Sequence, residues 1–124
     1  KHEFENGAAL MSFFASMPPR VQSQYIEMLL DFLDDEKRGS GSEYLRWVEG
    51  QPSTRALDRM RSKTPELYSY LQADRNIWWA KHIEALLAQS GTRFVLLGMN
   101  HVLGPEGVPA QLAKLKVELT ALHA

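Results

Sequence analysis

Apolar residues recur at helical spacing as far as Leu87 and then change period, because Phe94, Val95, Leu96 and Leu97 follow one another with no polar residue between them. An unbroken apolar run suits a strand covered on both faces, whereas residues at i, i+3, i+4 and i+7 suit one face of a helix. Gly98 ends the run. Further on, Val108, Leu112 and Leu115 return to helical spacing, and Val117, Leu119 and Ala121 alternate with Glu118 and Thr120 as a half-buried strand would. The pattern predicts an α/β chain that is mostly helical. A helical region over 1–91 would lead into a βαβ unit over 92–124, its parallel strands joined by a right-handed crossover. Two strands alone are marginal and have open edges, so self-association into a homo-oligomer through those edges is expected.

Within the helical region, Leu10, Phe13, Phe14 and Met17 mark a first helix that starts near Asn6 and stops before Pro18-Pro19. Pro19 suits the first turn of a second helix, with Val21, Tyr25, Met28, Leu29, Phe32 and Leu33 on one stripe and Asp34-Asp35-Glu36 at its end. A loop is expected over 38–42, then a third helix from Ser42 to Gly50 and a fourth after Ser53 carrying Leu57 and Met60. Thr64 can cap a fifth, with Pro65 at its first position and Glu66 toward the positive end of its dipole. The sixth begins near Asp74, carries Trp79, Ile83, Leu86 and Leu87, and stops at Gly91.

The size, 124 residues, allows one core. Fourteen basic and fifteen acidic residues leave a net charge of -1, which provides no field to draw in a phosphate backbone, so no nucleic-acid partner is expected. With no cysteine there is no disulfide, thiolate metal site or cysteine nucleophile. No window reaches the 18 or so consecutive apolar residues of a membrane span, so no membrane insertion is expected in this segment. The motifs HExxH, GxSxG and GxxxxGK[ST] are all absent, which leaves zincin, serine hydrolase and nucleotide-binding readings without support.

Several short motifs fall in a fixed order: Arg75-Asn76-Ile77-Trp78-Trp79-Ala80, the run to Leu97, Gly98-Met99-Asn100-His101, and Gly104-Pro105-Glu106-Gly107-Val108. Upstream come Phe4-Glu5, then Phe14 and Met17-Pro18, Trp47 to Gly50, and Pro65-Glu66-Leu67-Tyr68. In this order they resemble the TraB/PrgY/GumN family, whose C-terminal half reads as an RN-x-x-W-A helix, a strand, a GxxH turn and a G-x-x-G before a short helix. Two positions depart from the family pattern: Leu10, where a glutamine is usual, and Lys116, where a glycine commonly precedes the last strand. The resemblance implies that the chain is the C-terminal half of a larger domain with a second GxxH in its other half, and that this half alone is inactive.

The wider superfamily includes the Tiki proteins and implies a metal-dependent peptidase or hydrolase. In that reading His101 would ligate Mn²⁺, Co²⁺ or Zn²⁺, and Glu5 would be a second ligand or the general base acting on a peptide or protein substrate. A histidine just past a parallel strand stands where open α/β sheets bind ligands; otherwise it is a turn residue bonded to a nearby carbonyl. Glu5 is either this partner or a carboxylate answering a helix dipole. Arg75 could clamp a substrate carboxylate or an oxyanion, or simply form an ion pair. Asn76 and Asn100 could line the substrate site, or be ordinary helix-start and turn asparagines. The resemblance also implies an alternative, a non-catalytic protein that binds pheromone-like peptides or assists polysaccharide assembly, and an extracytoplasmic or periplasmic location.

Overall fold

The computed structural model describes residues 6–37 and 42–121. The chain divides into two compact units, Lys1–Leu67 and Tyr68–Ala124. In the first unit, α1 (Gly7–Ser16) begins where Asn6 Oδ1 accepts the Ala9 N–H at 2.8 Å. This bond satisfies one of the amides that a helix start leaves without a partner. Pro18 and Pro19 break the helix because neither can donate, and Pro19 opens α2 (Pro19–Lys37), where no donor is needed. Met17 at the corner is 3% exposed and Val21 in the next turn is fully buried. Gln22 Nε2 donates to the Met17 carbonyl at 2.9 Å, and Phe14 stacks on Tyr25 with ring centroids 5.1 Å apart.

Two further helices follow, α3 (Ser42–Val48) and α4 (Arg55–Lys63). Ser53 Oγ accepts the Arg55 N–H at 3.1 Å near the start of α4, whose buried residue is Leu57. Thr64, expected to cap the next helix, instead donates its hydroxyl to the Met60 carbonyl at 3.0 Å and so finishes α4. Apart from Ser42, the loop expected over 38–42 lies outside the described residues.

The second unit begins at Tyr68, the last residue of α5 (Pro65–Tyr68), and continues through a π-helical turn, Ser69–Ala73, into α6 (Asp74–Leu87). In the π turn the Asp74 N–H reaches back five residues to the Ser69 carbonyl. The sequence pattern explains the wider turn. Buried Tyr68, Gln72, Asn76 and Ala80 recur every four residues, a spacing that overshoots the 3.6-residue α turn, and a π turn takes up the difference. Thus Asn76, Trp79, Ala80 and Ile83 all lie on the buried side of α6. Two short helices complete the unit, α7 (Met99–Val102) and α8 (Val108–Lys114); both α6 and α7 pack on α8, which buries Val108, Gln111 and Leu112.

The expected βαβ unit with parallel strands is overturned. None of the described residues lies in a strand, and residues 92–98 belong to no helix or ladder. Phe94 is 91% exposed and Leu96 84% exposed while Val95 and Leu97 are only half-buried, so the run that read as a doubly covered strand leaves one of its two sides bare. The physical reason is that a strand exists only through backbone bonds to a neighbour, and an apolar run encodes the wish for cover without supplying the partner. Val117–Ala121 forms no ladder either. Of the three expected pieces the crossover helix is present, as α8. Among the described residues no helix is long and apolar enough to cross a membrane.

The end of α8 accounts for one departure from the family pattern. The Val117 N–H bonds the Leu112 carbonyl and the Lys116 N–H the Ala113 carbonyl, at 3.1 and 3.0 Å. This is the Schellman closure, and it places Lys116 at a φ of 62°, the left-handed region where a Cβ is crowded. Lys116→Gly is therefore expected to raise stability by about 0.5–1 kcal/mol, the relief of that crowding less the extra freedom of glycine in the unfolded chain. Chemical denaturation measures it, and a variant less stable than the parent would refute the reading.

Candidate functional site

The sequence signals Arg75, Asn76, His101 and the Gly104–Gly107 turn meet in the second unit. His101 sits on α7, whose single turn starts as the His101 N–H bonds the Gly98 carbonyl at 2.9 Å. Its ring is half-buried, and its Nδ1 lies 2.7 Å from Asn76 Oδ1. Asn76 is 2% exposed, and its Nδ2 donates to the Glu106 carbonyl at 2.8 Å. One buried amide of α6 therefore links the helix that carries the histidine to the turn before α8.

That turn has the shape its glycines dictate. Gly104 has a φ of 79°, which a side chain would strain, and the Gly107 N–H closes back on the Gly104 carbonyl at 3.1 Å. Gly107 is needed for space. A Cβ there would stand 2.6 Å from the Val102 carbonyl oxygen and 2.7 Å from that of Leu103. The close approach carries the Glu106 carbonyl to Asn76. Glu106 also has a carboxylate oxygen, Oε2, that is shielded from solvent and has no hydrogen-bond partner among the described residues.

Aromatic and cationic groups complete the neighbourhood. The Trp79 ring lies 4.4 Å from that of His101, tilted by 55°, and Arg75 Cζ stands 4.8 Å from the centre of the Trp79 ring. Arg75 also donates Nη1 to the Leu71 carbonyl at 3.2 Å, so its charged head is held along its own helix. The sequence pattern put Trp79 among the periodic apolar residues of the sixth helix. It is 8% exposed, yet it also forms a wall for the histidine, a role signalled only by its spacing of one helical turn from Asn76. Glu106 contributes through its backbone carbonyl, which no side-chain motif could announce.

One remaining candidate stands apart from this chain of bonds. Asn100 is half-buried beside His101 and takes no part in it. Glu5 lies outside the described residues. His82, the other histidine on the described helices, lies against Trp78 with ring centroids 3.9 Å apart and planes tilted by 45°, its Nδ1 3.0 Å from the Trp78 carbonyl. Among the described residues no group of three or more His, Cys, Asp or Glu side chains is placed to hold a metal ion.

The glycine of the GxxH turn is not required by packing. A Cβ at Gly98 would touch only His101 Cδ2, at 3.7 Å, an ordinary contact, and its φ of -63° suits any residue. Gly98→Ala is expected to change stability by less than about 0.5 kcal/mol in a melting experiment. A larger loss would mean that the turn needs its glycine for the fold.

A family model described as the TraB/PrgY/gumN family matches residues 2–121 of the chain. No curated protein and no solved structure matches it.

Proposed function

The chain belongs to the TraB/PrgY/gumN family, and on that premise we propose that it carries part of a hydrolytic site of the metal-dependent peptidase kind, with His101 as the acting imidazole and Glu5 as its partner carboxylate. The observation that carries the proposal is the buried amide behind His101, 2.7 Å from the ring. Ligand and base histidines are oriented by such a bond to their second nitrogen, which fixes the ring and leaves little reorganisation at the moment of reaction. Arg75, whose guanidinium lies 4.8 Å from the centre of the indole that also borders His101, is our candidate to meet a substrate carboxylate, and Asn100 is a further candidate contact.

The described residues do not by themselves fit a metal. A catalytic ion takes about three protein ligands, and the described residues bring no such group together. The contribution assigned to this chain is therefore one oriented imidazole, joined by Glu5 and by groups outside the described residues.

A peptide library incubated with the full-length protein tests this. Cleavage is expected, with loss on chelation and recovery on adding Mn²⁺, Co²⁺ or Zn²⁺. Peptides bound but never cut would replace the hydrolase with the non-catalytic binding protein, and neither binding nor cleavage would remove both.

A further inference from the structure

We infer that Asn76 is a positioning residue that sets the tautomer of His101, placing the ring proton on Nδ1 and the lone pair on Nε2. The inference starts from an atom with no choice. The Glu106 carbonyl can only accept, so the Asn76 atom 2.8 Å from it must be the amide nitrogen. The other end of the amide, 2.7 Å from His101 Nδ1, is then the oxygen, which can only accept as well. A short contact between that oxygen and the ring requires Nδ1 to donate. In the neutral imidazole the second nitrogen, Nε2, must then carry the lone pair.

The amide cannot easily turn over. Asn76 is 2% exposed, so water has little access to satisfy a reversed amide, and a flip would set the amide oxygen against the Glu106 carbonyl oxygen with no donor between them, whichever ring nitrogen carries the proton. The Glu106 carbonyl is held as firmly, by a turn that Gly107 packs onto the Val102 and Leu103 carbonyls. The proton on His101 is thus decided by a backbone carbonyl five residues along the chain, read through a side chain of another helix. This role commits both polar atoms of Asn76 and differs from contact with substrate. Which chemistry Nε2 serves rests on the hydrolase reading above; the tautomer does not.

The test is a long-range ¹H–¹⁵N correlation spectrum of the ¹⁵N-histidine-labelled full-length protein, taken at alkaline pH with the imidazole neutral and a chelator present. The His101→Gln variant assigns the ring. Nδ1 is expected as the protonated, pyrrole-type nitrogen and Nε2 as the bare, pyridine-type one. A ring protonated at Nε2, or averaged between the two forms, would overturn the inference in the parent protein alone. In Asn76→Ala the spectrum is expected to move toward the mixture of an unconstrained imidazole, and an unchanged Nδ1–H form would also overturn it. If peptides are cleaved, this variant is expected to lose about 10–100-fold in kcat with KM little changed. A fixed Nδ1–H tautomer in a protein that cleaves nothing would sink the hydrolase and leave this assignment standing.

Discussion

His101→Ala in the full-length protein is expected to lower peptide cleavage by about 10²–10⁴-fold, the range that a positioned acid, base or ligand contributes. The loss should fall on kcat, because the imidazole would act on the reacting atoms and not on remote parts of the substrate. A separate cost to stability follows from the structure. Removing the ring leaves Asn76 Oδ1 without the ring donor that meets it, in a residue 2% exposed, an effect of about 1–3 kcal/mol. His101→Gln is therefore the companion variant. It keeps an amide donor that can approach Asn76 while losing the imidazole, so a folded and inactive His101→Gln protein separates chemistry from packing. Cleavage at the parental rate in both variants would take His101 out of the mechanism.

Gly107→Ala is expected to destabilise the second unit by about 2–3 kcal/mol, the upper part of the range for a methyl forced into packed surroundings. The added Cβ would meet two carbonyl oxygens at 2.6 and 2.7 Å, and these are backbone atoms that cannot rotate aside. Relief requires the 104–107 turn to lift away from α7. That movement draws the Glu106 carbonyl from Asn76 and loosens the hold on His101. The variant should accordingly lower both the unfolding midpoint and the fixed tautomer of His101, whereas Gly98→Ala should lower neither. Equal stability of Gly107→Ala and the parent, measured in denaturant, would show that the turn yields easily and that the approach is not a constraint.

Much of the helical framework was legible because its signals are local. Asn6 caps α1, Pro18 and Pro19 divide α1 from α2, and Pro65 opens α5, each acting on residues within one turn of itself. The family resemblance was equally readable, and the family's sequence pattern matches residues 2–121. The two expected strands are absent among the described residues, because Phe94–Leu97 was read for its hydrophobicity, and hydrophobicity says only that a segment gains from cover. The π turn escaped notice since four-residue spacing resembles an ordinary amphipathic helix until the extra residue is placed. Glu5, half of the proposed pair, lies outside the described residues.

The sequence alone determined the start of α1 at Asn6, the break at Pro18-Pro19, the opening of α5 at Pro65 and that a histidine follows a glycine at GxxH spacing, since caps and proline breaks are decided by neighbours along the chain. Tertiary structure alone decided that Asn76, 25 residues before His101 and 30 before Glu106, would join the two. A hydrogen bond depends on distance and direction in space, and those are fixed only once α6, α7 and the 104–107 turn have packed.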